Sequence, residues 1–221
     1  MVLEGKGITL GLFITFEGGE GCGKSTQAKA LWRKLSRLGI PAELTHEPGG
    51  TALGNEIRHS LKRKRQDRIL PEAELLLFAA CRIQLMTEVI RPSLQKGKAV
   101  ICDRFDDSTT AYQGYGRGID LAAIKEIDGL AVQGVKPDLT ILLDIPAAEG
   151  LSRKQAKLKD RFEEEEIAFH NRVRDGYLKL AAEEPERWLV IDAALPKAKI
   201  GKIIWGKVNQ LLQAGNISKH D

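Results

Sequence analysis

Leu12-Phe13-Ile14-Thr15-Phe16 leads directly to Gly18-Gly19-Glu20-Gly21-Cys22-Gly23-Lys24-Ser25, and the fold turns on these positions. The first stretch is short, apolar and β-branched, the pattern of a strand covered on both faces. The second matches G-x-x-x-x-G-K-[ST] at every fixed position, after a strand and at the start of a helix. Glycines let the backbone curl until successive N–H groups point at one phosphate. The helix N-terminus adds partial positive charge, Lys24 brings a point charge to the β/γ oxygens, and Ser25, with Thr26 behind it, offers a hydroxyl to Mg²⁺. The loop from Gly18 to Thr26 is therefore expected to bind ATP.

Outward from this point, two kinds of segment alternate. Helical patterns are expected at Lys24–Leu38, closed by Gly39, and at Gly54–Leu61. A long one runs over Pro71–Leu94, with Pro92 ending its regular part. Others are expected at Ser108–Tyr112, Leu121–Gln133, 147–158, Arg161–Ala182 and Ala198–Leu212, with a flexible break at Gly114–Gly118. Apolar strands are expected at Ala42–Thr45, Ala99–Cys102, Leu139–Leu143 and Trp188–Ile191. Such alternation predicts an α/β, three-layer, doubly wound parallel sheet of five strands, with helices on both faces and ligands beyond the carboxyl ends of the strands. There is no repeat or linker, so residues 1–221 are expected to form one domain, with a short lid inserted at about 150–163 and a polar, frayed tail at 215–221.

Composition excludes several function classes. Net charge is +4, and the one dense basic stretch, Lys62-Arg63-Lys64-Arg65, is short. It reads as a solvated helix end rather than a nucleic-acid contact. Cys22, Cys81 and Cys102 have no metal-ligand or CxxC spacing, which fits a reducing compartment. The apolar run Leu10–Phe16 is too short for a membrane span and lacks the flanks of a signal peptide, so a cytoplasmic protein is expected.

A GTP switch protein would carry N-K-x-D and D-x-x-G motifs, and neither is present. Five further segments narrow the class. They are Glu47-Pro48-Gly49-Gly50-Thr51, Phe78-Ala-Ala-Cys-Arg82, Asp103-Arg104-Phe105, Ser108-Thr109-Thr-Ala-Tyr112-Gln113-Gly114 and Pro137–Asp144. In this order, and together with the phosphate loop, they closely resemble the thymidylate kinase family from about Phe13 to Asp192. Glu20 inside the loop resembles the family's bacterial branch.

The resemblance implies transfer of a phosphoryl group from ATP to dTMP, with Mg²⁺, in a homodimer built through the long helices. It implies that Phe78 stacks on the base, although Phe78 also reads as a core aromatic. Arg82, on the same helix face, would donate to thymine O4 or else form a surface ion pair. Thr109 would face the pyrimidine N3 edge, Gln113 would help close the base site, Pro48 would wall it, and Tyr112 would exclude a 2′-hydroxyl. Arg104, with Arg58, would hold the acceptor phosphate, and Asp103 would lie near the metal, unless Asp103 and Arg104 simply pair. Glu20 would contact the 3′-hydroxyl. Glu47 would bind a metal-shell water or brace its own loop.

A lid arginine over the γ-phosphate is expected in this branch. Here Arg153 and Arg161 are present, with Lys154, Gln155 and Lys157 between them, in a segment about one residue short. Arg153 is the first choice for that cation and Arg161 the second. His46 and Phe105 stand where the family usually has arginine and tyrosine. The acids Glu163 to Glu166 read as helix caps. Kinases for dUMP or dCMP, and an ATP-binding regulator without turnover, remain as alternatives.

Overall fold

The computed structural model describes residues 11–64, 66, 68–153 and 160–217. Arg65 of the basic stretch, Lys154, Gln155 and Lys157 of the expected lid, and residues 218–221 lie outside these residues.

Five strands form one all-parallel sheet in the order β2-β3-β1-β4-β5. They are β1 (Phe13–Glu17), β2 (Ala42–His46), β3 (Ala99–Asp103), β4 (Leu139–Asp144) and β5 (Trp188–Asp192). Central β1 is buried at all five positions. Its alternate side chains feed different clusters: Ile14 and Phe16 join Leu31, Leu35, Ile141 and Ile204, whereas Phe13 joins Leu85, Met86, Val100 and Phe105. Helices cover both faces, so the run needs no polar alternation. Thr15 and Thr140 are both buried, and their hydroxyls bond each other at 2.9 Å, which satisfies them without water.

The helices are α1 (Lys24–Arg37), α2 (Ala52–Lys62), α3 (Pro71–Leu85), α4 (Arg91–Gln95), α5 (Asp106–Thr109), α6 (Leu121–Val132), α7 (Ala147–Ser152), α8 (Ile167–Glu183) and α9 (Lys197–Ile217). Helix α2 begins two residues before the expected Gly54, because the Thr51 hydroxyl accepts from Gly54 N at 3.0 Å and caps it.

Pro92 does not end the long helix. A π-helical turn, Met86–Ile90, joins α3 to α4, and Arg91 N reaches back to Met86 O. The wider turn opens room behind a proline ring that would otherwise clash with the carbonyl four residues back. The expected break at Gly114–Gly118 is largely helical too, since a second π turn spans Thr110–Gly116. A β-carbon on Gly116 would lie 2.7 Å from Phe169, so glycine there admits α8 rather than loosening the chain.

Helix α8 starts at Ile167, six residues after the expected Arg161. Asp160 Oδ1 accepts from Phe162 N at 3.0 Å and Glu163 N at 3.2 Å, folding that stretch into a turn. Helix α7 stops at Ser152, and α9 runs on to Ile217 through the start of the expected tail.

Candidate active site

The carboxyl ends of β1, β2 and β3 open into one cleft of about 590 Å³. The phosphate loop leaves β1, the Glu47–Gly50 loop leaves β2, and Asp103-Arg104 leaves β3. Glu20, Lys24, Ser25, Thr26, Glu47, Pro48, Arg58, Phe78, Asp103, Arg104, Thr109, Tyr112, Gln113 and Arg153 all line it.

The loop has the conformation its glycines suggest. Gly21 has φ +68°, and a β-carbon there would lie 1.9 Å from Gly150 O. Lys24 is buried and donates to the carbonyls of Gly18 at 3.0 Å and Gly19 at 2.6 Å, so its ammonium is held at the mouth of the loop. The Ser25 hydroxyl donates to Asp103 Oδ2 across the β1–β3 divide.

Arg104 is the geometric centre. It is a non-glycine residue at φ 74°, a strained conformation that aims its side chain back over β1. One guanidinium nitrogen donates to Gly18 O (3.1 Å), Ser108 Oγ (3.3 Å) and Tyr177 OH (3.1 Å). The other donates to Glu20 Oε1 (2.8 Å) and Tyr112 OH (2.9 Å). Arg104 therefore pairs with Glu20 and not with its neighbour Asp103. Burial opposes its charge, but Tyr112, Glu20 and the other acidic groups outweigh that and hold its pKa well above the ordinary value.

Beneath Arg104 lies Glu17, to which sequence reasoning assigned no role. It is fully buried and accepts from Phe105 N (2.7 Å), Ser108 Oγ (2.6 Å) and Tyr177 OH (2.8 Å). Burial and the neighbouring Asp107 raise its pKa from 4.5 to about 7, against the pull of Arg104, Ser108 and Tyr177. A charged residue ending an otherwise apolar strand was the available signal. Nothing local marks Tyr177, which arrives from α8.

Two of the arginines expected at the site are not among the residues that line the cleft. Arg82 is 1% exposed and is not among the cleft-lining residues. It donates to Glu47 Oε2 (2.9 Å), Phe105 O (3.2 Å) and Thr109 Oγ1 (2.8 Å), and pairs with Asp128 of α6. It is thus a buried brace behind Thr109 and Glu47, which line the cleft, and is not in a surface pair. Arg161 is also absent from the lining. It donates to Leu61 O (3.0 Å) and to Glu74 Oε2 (2.6 Å). Arg153 does reach the cleft, held by Ala193 O (3.0 Å) and Glu149 (2.7 Å).

Gln113 donates to Glu74 Oε1 at 2.7 Å, and Arg58 donates to Pro48 O at 2.7 Å. Phe78 packs against Phe162, centroids 5.9 Å apart, and Phe162 and Asp160 line the cleft without having been expected there. Of the acids after Arg161, Glu165 pairs with Arg117 at 2.7 Å and Glu164 with Lys64, while Glu166 stands at the N-cap of α8 without a side-chain cap hydrogen bond. Lys62 pairs with Asp160 at 2.6 Å, so the basic stretch clamps this segment.

A profile of the family described as thymidylate kinase matches residues 16–204. A protein named thymidylate kinase from Dehalococcoides mccartyi is 53% identical over 204 residues, covering 92% of this chain and 99% of its own. Another, from Trichlorobacter lovleyi, is 48% identical over 200 residues, covering 87% and 94%. The crystal structure of thymidylate kinase from Ehrlichia chaffeensis superposes with a TM-score of 0.69 at 39% identity, covering 82% of this chain and 92% of that one. A β1-centred phosphate loop, Arg104 folded over it and this breadth of likeness lead to one conclusion: the chain belongs to the thymidylate kinase family.

Proposed function

We propose that this chain transfers the γ-phosphoryl group of ATP to dTMP, giving ADP and dTDP, with both nucleotides held in one domain. Family membership supports the reaction. The observation that carries it is Arg104, whose single guanidinium touches both the phosphate loop, at Gly18 and Glu20, and the wall bearing Tyr112 and Ser108. An acceptor phosphate on Arg104 would lie beside the donor's γ-phosphate, which is what in-line transfer requires.

The remaining roles follow from position. Lys24 and the loop amides hold the donor phosphates, and Lys24 exchanges its carbonyl partners for phosphate oxygens. Arg58 joins Arg104 on the acceptor phosphate. Phe78 faces the base, with Pro48, Thr109 and Gln113 around it, and Tyr112 fills the space beside C2′. Glu20, within reach of Tyr112 OH at 2.8 Å, takes the 3′-hydroxyl. Arg82 holds the Thr109 hydroxyl beside the base. Arg153 is the cation for the moving phosphoryl group. The phosphate acceptor is already ionised at neutral pH, so no strong general base is needed.

Ser25 and Asp103 fit Mg²⁺, since they are hard oxygen donors, only two in number, and leave the other positions to phosphates and water. Bound there, Mg²⁺ would neutralise phosphate charge. Three free, buried cysteines support a cytoplasmic setting. Exposed Leu53, Leu76, Leu121 and Leu130 on α2, α3 and α6 support a homodimer through the long helices. Among the described residues no helix is long and apolar enough to cross a membrane.

The test is ADP release with ATP and Mg²⁺, comparing dTMP, dUMP, dCMP, UMP and AMP. Preference for dTMP is expected. Preference for dUMP or dCMP would overturn the base pocket. Folded protein that binds ATP but turns over none of them would be a regulator.

A further inference from the structure

Glu74 is fully buried in the first turn of α3, does not line the cleft, and yet gathers three partners from two separate segments. Its Oε1 accepts from Gln113 Nε2 at 2.7 Å and from Arg117 Nε at 3.3 Å, both from the chain around the Thr110–Gly116 turn. Its Oε2 accepts from Arg161 at 2.6 Å and from Arg117 at 3.4 Å. Arg161 in turn stacks on the Phe162 ring at 4.4 Å and ties to Leu61 O on α2. Arg117 also pairs with Glu165 at 2.7 Å. One carboxylate thus fastens the wall that carries Tyr112 and Gln113 to the 160–165 segment, whose Asp160 and Phe162 line the same cleft.

We propose that Glu74 and Arg161 form a positioning pair for the acceptor nucleotide, with Arg161 anchoring Phe162 beside Phe78 rather than acting on the transferring phosphate. The geometry supports this in two ways. Arg161 has its guanidinium engaged by Glu74 and by Leu61 O, and it is not among the residues that line the cleft. Among the described residues, Glu74 does not line the cleft and bonds Gln113, Arg117 and Arg161. A charge-assisted pair whose carboxylate is fully buried holds such a segment more firmly than the half-buried Lys62–Asp160 pair and the exposed Lys64–Glu164 pair beside it.

Steady-state kinetics of Glu74→Gln, Arg161→Ala, Arg161→Lys and the double variant Glu74→Gln/Arg161→Ala test the pairing, and this arm rests on the dTMP reading. Each of the first two variants should raise KM for dTMP about 10-fold while leaving kcat within about threefold, and the double variant should be no worse than either, as expected for partners in one interaction. Arg161→Lys keeps a charge for Glu74 and should recover most of the loss. A fall in kcat of about 100-fold in Arg161→Ala with KM for dTMP unchanged, the mark of a cation on the transition state, would overturn the proposal. So would additive effects in the double variant.

Hydrogen exchange on ligand-free protein supplies an arm that does not depend on the substrate. Arg161→Ala leaves Glu74 paired with Arg117 and should fold. Its amides should exchange faster both at 160–166 and across the 110–117 turn. Faster exchange at 160–166 alone, or no change, would show that Glu74 does not link the two walls, whatever nucleotide the enzyme prefers.

Discussion

Arg104 and Glu20 form an ion pair, Nη2 to Oε1 at 2.8 Å, across the mouth of the phosphate loop. The pair explains a carboxylate inside a loop that binds anions. Glu20 balances Arg104 and holds the fork in place before any phosphate arrives, so little side-chain freedom remains to be lost on binding. Glu20 and Arg104 also share the Tyr112 hydroxyl, which joins the phosphate loop, the end of β3 and the Thr110–Gly116 turn in one hydrogen-bonded unit.

Replacing Arg104 by alanine should lower kcat/KM for the acceptor by about 100- to 1000-fold, the range for removing one pre-aimed donor to developing charge. Lysine should recover little, because it cannot fork between Gly18, Glu20 and Tyr112. ATP binding alone, followed by calorimetry, should change much less.

Arg153→Ala should reduce kcat by about 10- to 1000-fold while leaving KM for dTMP near its original value, since the lost contact forms only with the moving phosphoryl group. Single-turnover kinetics check this directly. An unchanged single-turnover rate would remove Arg153 from the chemistry.

Glu17 makes stability depend on pH. Its folded pKa, about 7, lies above the ordinary 4.5, so the folded state holds more protons than the unfolded chain between these values. Stability therefore falls as pH rises from about 4.5 to about 7, by up to about 3 kcal/mol from this group, and then levels off. Denaturant unfolding at pH 5, 6, 7 and 8 measures the slope. Glu17→Gln should flatten it, because the amide has no charge to desolvate and can still accept from Phe105 N.

Gly21→Ala should abolish nucleotide binding. At φ +68° a β-carbon is strained in itself, and it would also meet Gly150 O at 1.9 Å, so the loop must move off α7. Nucleotide-induced shifts in melting temperature should vanish. Gly19→Ala, where a β-carbon meets nothing within 4 Å, should keep them.

Arg82→Met should lower stability by about 3 kcal/mol or more, because Glu47 and Asp128 lose their buried partner. Chemical denaturation measures the loss. A substantial fall in dTMP-over-dCMP preference without loss of stability would instead put the guanidinium on the base.

Local sequence determined a great deal of this protein. Period, punctuation and the phosphate-loop spacing place β1, α1 and the four other strands, because helix hydrogen bonds are local and burial of an element leaves its pattern in neighbouring residues. The same reading puts Lys24 and Ser25 at the start of α1 and Asp103 and Arg104 at the end of β3, where a parallel sheet opens its crevice.

Only tertiary structure decided what the charged side chains do. Arg82 finds Glu47 35 residues away and Asp128 46 residues away, while Arg161 finds Glu74 at a separation of 87. No periodicity encodes such partners. Both arginines look like substrate contacts in the chain, yet both are drawn inward, since a buried carboxylate requires a counter-charge that water cannot supply. Glu17 stayed unread for the same reason. A carboxylate's role under Arg104 exists only after β1, β3 and α8 have been brought together.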